Sequence, residues 1–146
     1  MGRIIKRGVE FIFKGIPQEE VENLLKKSNL VYCLSNSHEF EYVGNANEGK
    51  NKTYTFGQRL YGHAMKIAHN SQEDIYKNGL GLTKRIYVVI LKECSSSKEA
   101  RLCEHETIIN RRMEIAKARG YNISREAAKK HCNSYIWGDI LLNVLS

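Results

Sequence analysis

The run Ile86-Tyr87-Val88-Val89-Ile90-Leu91, entered through Arg85, constrains the fold more than any other segment of this chain. It is β-branched and aromatic without polar alternation, the pattern of a central strand covered on both faces rather than of an edge. A strand of that kind needs neighbours in a sheet and helices above and below it, which places the chain in the α/β (α+β) class. At 146 residues and 42% apolar composition there is material for one ordinary domain, so residues 1–146 read as a single unit.

The neighbours are legible by period. Val9, Phe11 and Phe13 alternate with Glu10, Ile12 and Lys14, which predicts a strand ending near Gly15. Pro17 followed by Glu19 and Glu20 suits a helix start, with Val21, Leu24 and Leu25 as its apolar side. Residues 30–34 and 40–43 read as a hairpin around Ser35-Asn36-Ser37-His38, and residues 45–55 as an exposed loop. A helix over residues 56–70 turns Leu60, Ala64 and Ile67 to the core, with Arg59 and His63 side by side on a neighbouring stripe.

After the central strand, Ser95-Ser96-Ser97 offers N-caps for a helix reaching about Arg119, with Gly120 placed to stop it. Its apolar stripe reads as Leu102, Ile109, Met113 and Ala116, with Glu106 among them. A carboxylate on a core-facing stripe needs a cation partner or the solvent edge, because burying it unpaired is costly. Glu104, two residues earlier, points about 200° around the helix and is the rival acid. A last helix fits residues 125–145, with Ala128, Cys132, Tyr135, Ile136 and Ile140 inside. The expected architecture is a small, mainly antiparallel three-stranded sheet flanked by helices. Its core spans about 30–123, with a strand–helix extension over 1–29 and a C-terminal helix over 124–146.

The 23 Lys and Arg against 16 Asp and Glu, a formal charge of +7, suit a polyanionic partner, and equally a basic domain without one. Cys33, Cys94, Cys103 and Cys132 have no paired spacing and read as free thiols of a reducing compartment. Zinc held by Cys103, His105, His131 and Cys132 is a weaker reading than ordinary structural roles. With no signal-like or membrane-spanning run, the chain reads as intracellular, in the cytoplasm.

The order of the polar residues carries more. Leu30-Val31-Tyr32 and Tyr42-Val43-Gly44 stand on consecutive strands, followed by Arg59-Leu60-Tyr61-Gly62-His63, then Glu106-Thr107-Ile108-Ile109 and Gly120-Tyr121-Asn122. Over residues 30–123 this resembles the GIY-YIG nuclease family. Leu30 stands where the family has its first glycine, and fourteen residues separate Gly44 from Arg59, so the 45–55 loop reads as an insertion.

The resemblance implies a DNA endonuclease with Tyr32, Tyr42, Arg59, His63, Glu106 and Asn122 as its catalytic set. Glu106 would hold Mg²⁺ (or Mn²⁺). Mg²⁺ commonly keeps several waters around one or two carboxylates. Arg59 suits the scissile phosphate, because its planar fork stays charged. Tyr32 suits the general base if cationic charge stabilises its phenolate, with His63 to take its proton and Tyr42 to orient water or phosphate. Lys50, Lys52, Arg111 and Arg112 are candidates for DNA backbone contacts. A stand-alone restriction-like or phage-encoded nuclease is expected. The alternatives are the catalytic domain of a homing endonuclease, a non-catalytic nucleic-acid-binding module and a structural or protein-interaction domain, while RNA as substrate and a homodimer stay open.

Overall fold

A computed structural model describes residues 1–46, 48–49, 52–129 and 135–136. In chain order its elements are β1 (Gly2–Lys6), β2 (Val9–Phe13), α1 (Gln18–Leu25), β3 (Leu30–Ser35), β4 (Glu41–Ala46), β5 (Glu48–Gly49) and β6 (Lys52–Thr53). There follow α2 (Phe56–Ala68), α3 (Asp74–Lys77), a 3₁₀ turn at Leu80–Leu82, β7 (Arg85–Glu93), α4 (Ser97–Ala118), α5 (Arg125–Lys129) and β8 (Tyr135–Ile136). No helix among the described residues is long and apolar enough to cross a membrane.

The sheet runs β1-β2-β7-β3-β4, with the two-residue β8 on its outer edge beside Glu41 and Tyr42. β2 pairs parallel with β7, and the other ladders are antiparallel. The chain is therefore α+β as expected, but the sheet is mixed and larger than three strands. The N-terminal segment is no appendage: β1 and β2 form a hairpin through Arg7 and Gly8, both at positive φ, and the hairpin widens the sheet beyond β7. Val9, Phe11 and Phe13 bury completely as a result. The C-terminal helix expected over 124–146 is also corrected. α5 ends at Lys129 and Tyr135–Ile136 pair as a strand, while residues 130–134 and 137–146 lie outside the described residues.

Alternation sorts the sheet into two faces. On one, Phe11, Phe13, Leu30, Leu34, Ile86 and Val88 meet Phe56, Leu60, Ala64 and Ile67 of α2 in the main core. On the other, Val31 and Val43 meet Ala100 and Ile108 of α4, with Cys33, Cys94 and Cys103 at the margin as free thiols. Thr55 anchors the start of α2 with a capping box: its hydroxyl accepts from the Gln58 amide and the Gln58 side chain accepts from the Thr55 amide. Ser96 caps α4 in the simpler way, through the Glu99 amide.

Candidate active site

The centre of the α2 face is polar. Tyr32 of β3 lies opposite Gly44 of β4, and Tyr42 lies opposite Leu34, so both tyrosines project to the same side. Gly44 lets them do so. A Cβ there would sit 2.5 Å from Tyr42 Cε1 and 3.0 Å from both Cζ and the hydroxyl oxygen of Tyr32. The glycine is needed for close approach of two rings, not for its backbone freedom.

From α2, His63 enters between these rings. The Tyr32 hydroxyl and His63 Nε2 are 3.1 Å apart, and the Tyr42 ring meets the imidazole edge-on at 4.8 Å between centroids. His63 Nδ1 lies 2.9 Å from the hydroxyl of Tyr76, on α3. Arg59, one turn before His63, is exposed, with its guanidinium over the Tyr54 ring at 5.1 Å.

Burial governs the protonation of this group. It lowers His63 to about 4, with the positive charge of Arg59 adding to the effect, so the ring is neutral at pH 7. Tyr32 is 1% exposed, and desolvation pushes its phenol well above 10. Tyr42 and Glu104 push it further up, while Arg59 opposes them. Tyr76 is raised chiefly by burial as well.

Glu104 reaches the site's field from α4, and the phase of that helix explains how. Its buried positions are Ala100, Ile108, Ile109, Arg112 and Ala116, whereas Leu102 is 59% exposed. The inner line therefore runs 100-104-108-112, one residue in each turn, and Glu104 sits on it between two buried apolar residues. Asn45, on β4 next to Gly44, donates from Nδ2 to Glu104 Oε2. Asn45 Oδ1 is itself buried with no hydrogen-bond partner among the described residues.

Glu106 is placed elsewhere. It is exposed, accepts an ion pair from Arg125, and lines a surface depression with Lys92, Lys98, Glu99 and Cys103. None of Tyr32, Tyr42, Arg59 or His63 borders that depression. Asn122 is exposed beyond the C-terminus of α4, which carries the chain roughly 20 Å past the level of Glu104. Tyr32, Tyr42 and His63 are thus brought together beside Arg59, and Glu106 and Asn122 are not among them.

The basic residues divide similarly. Arg111 clasps Glu41 with two hydrogen bonds of 2.8 and 2.6 Å and also meets Glu114. Arg112 is 3% exposed and donates to the Ala128 carbonyl at 3.1 Å, holding α5 against α4. Neither guanidinium is presented as a free phosphate contact. Lys50 and the side chain of Lys52 lie outside the described residues.

Sequence reasoning passes over Asn45 and Tyr76, and ranks Glu104 only as the rival of Glu106. Glu104 had a usable signal in its spacing of four from both Ala100 and Ile108. Asn45 follows the Tyr42-Val43-Gly44 tripeptide directly, within a stretch that reads as loop. Tyr76 had no local signal. No family model, curated protein or solved structure matches the chain. The candidate site stands on its geometry.

Proposed function

We propose that this chain is a divalent-metal-dependent DNA endonuclease that hydrolyses phosphodiester bonds by a GIY-YIG-type mechanism, as a restriction-like or phage-encoded stand-alone nuclease. The observation that carries the reading is the Tyr32 hydroxyl held on His63 Nε2 beside Tyr42, one helical turn from an exposed arginine. Phosphodiester hydrolysis requires a path for the proton of the nucleophile and cationic stabilisation of the charge that grows on the phosphoryl oxygens.

Arg59 is the residue for the phosphate. Its delocalised charge stays on at any relevant pH and its fork matches two oxygens. Tyr32 takes the role of base toward the attacking water and His63 that of acceptor for the Tyr32 proton, a role open to a neutral imidazole. Tyr42 orients the water or the phosphate. Glu104 replaces Glu106 as the acid that holds Mg²⁺ (or Mn²⁺). The donor chemistry is compatible: Asn45 donates from Nδ2 to Glu104 and leaves its Oδ1 without a hydrogen-bond partner among the described residues, and carboxylate and amide oxygens are the hard donors Mg²⁺ takes. When bound, the ion supplies Lewis acidity for the phosphoryl oxygen and the leaving group.

The test is incubation of supercoiled plasmid with the protein and Mg²⁺. Nicking that is abolished by chelator and by Tyr32→Phe supports the reading. A single site cuts one strand, so linear product signals a homodimer or sequential nicks, and RNA offered in parallel reports on substrate breadth. The second reading, a nucleic-acid-binding module without catalysis, is favoured by the complete burial of Tyr32. Binding without cleavage across metals would establish it and reject the nuclease.

A further inference from the structure

His63 has two neighbours, and the hydrogen-bond directions between them follow from one constraint. Tyr32 is fully buried, and among the described residues its sole hydrogen-bond partner is His63 Nε2. A buried phenolic O–H left without an acceptor costs its desolvation in full, so Tyr32 must donate and Nε2 must accept. A neutral imidazole carries one proton, which then resides on Nδ1. Nδ1 faces the Tyr76 hydroxyl at 2.9 Å, so Tyr76 accepts through its oxygen. Tyr76 is 9% exposed against 1% for Tyr32, so of the two phenols it is the one whose proton can be given to water.

We propose that Tyr76 is a positioning residue for His63, holding the ring as the Nδ1–H tautomer so that the Nε2 lone pair faces the Tyr32 proton and a buried tyrosine is linked to solvent. The proposal rests on the nuclease reading for its purpose, but its geometry does not.

The transfer it supports is balanced. The Tyr32 O–H bond breaks and its proton bonds to His63 Nε2. The Nδ1–H proton passes to the Tyr76 oxygen, and the proton already on Tyr76 leaves to water. The net change is a Tyr32 phenolate, one proton in solvent and an imidazole with its proton moved from Nδ1 to Nε2. Burial and Tyr42 oppose the phenolate, and Arg59 is the charge that favours it. The reverse sequence resets the chain: Tyr76 takes a proton from water, His63 Nδ1 takes the one Tyr76 held, and Nε2 returns its proton to Tyr32. The loss of the Tyr32 proton by this route requires no direct contact between Tyr32 and bulk water. Tyr42, packed edge-on against the imidazole, limits the ring's freedom to rotate out of line.

The experiment is ¹⁵N NMR of the histidine side chains in the whole chain at pH 7, with His63 assigned by loss of its signals in His63→Gln. The expected pattern is a protonated Nδ1 and an unprotonated Nε2, which Tyr76→Phe shifts toward a mixture of tautomers. In plasmid cleavage Tyr76→Phe lowers kcat about tenfold or more with KM little changed, as loss of a proton-transfer partner does. A wild-type His63 protonated on Nε2, or an unchanged kcat in Tyr76→Phe, overturns the proposal. If wild type does not cleave DNA at all, the nuclease reading fails, while the tautomer still decides whether Tyr76 positions His63.

Discussion

The two faces of the sheet handle polar side chains in opposite ways. Under α2, the Tyr32-His63-Tyr76 chain is embedded in a continuous apolar core, where burial keeps every member neutral. Under α4 the apolar cluster is small, and two of the positions on the helix's inner line are charged, Glu104 and Arg112. Each of those is met by a polar partner from a neighbouring element, Asn45 and the Ala128 carbonyl. The lesson is a division between the two faces. One holds neutral groups hydrogen-bonded to one another, and the other holds a carboxylate and a guanidinium against polar partners.

The contrast can be broken most forcefully at the packing of α4. Ile108→Ala should cost about 2–5 kcal/mol of stability in urea unfolding, because it empties a buried site. Leu102→Ala should stay within about 0.5 kcal/mol, since that side chain is exposed. Equal losses would mean that the inner line of α4 has been assigned to the wrong side.

Much of this was legible in the sequence, and the exceptions have physical causes. On the α2 face, strong apolar residues mark the strands and α2, so the positions of Tyr32, Tyr42, Arg59 and His63 relative to one another follow from periods of two and 3.6. In α4 the inner line carries Glu104 and Arg112. A search for the most apolar stripe therefore slides to Leu102 and Met113, and selects Glu106. The pairing of β2 with β7 joins residues about 75 apart, and no local pattern encodes a parallel partner. Gly2–Lys6 does not announce itself as a strand, because Arg3, Ile5 and Lys6 on an edge carry little alternation.

The neutral character of the α2 face can be sharpened by pH. His63 protonates at 6.5 in the unfolded chain and at about 4 in the fold, so its folded value is depressed. The neutral ring contributes in full above 6.5, and that stability is lost as pH falls from 6.5 toward 4, by roughly 3 kcal/mol. Unfolding midpoints measured across that window should fall more steeply for wild type than for His63→Gln. Parallel slopes would show that the ring is not held neutral.

A smaller effect is expected at the crossing of the two tyrosines. Gly44→Ala places a methyl against Tyr42 Cε1 and the Tyr32 hydroxyl, and should cost about 1–3 kcal/mol while displacing Tyr42 from His63. An unchanged melting temperature would contradict the tight approach. Smallest is Arg111→Ala. Its pair with Glu41 is partly exposed, so a loss of about 1 kcal/mol or less is expected, with DNA affinity little altered. A large fall in affinity would return Arg111 to the DNA-binding surface.

The central claim is that the carboxylate of this site is Glu104, reaching β4 from the inner line of α4. Mg²⁺-dependent plasmid cleavage by wild type, Glu104→Gln and Glu106→Gln, run side by side with a DNA-binding measurement, addresses it directly. Cleavage should be lost in Glu104→Gln with binding retained, and kept in Glu106→Gln. Cleavage lost in Glu106→Gln and kept in Glu104→Gln would contradict the account.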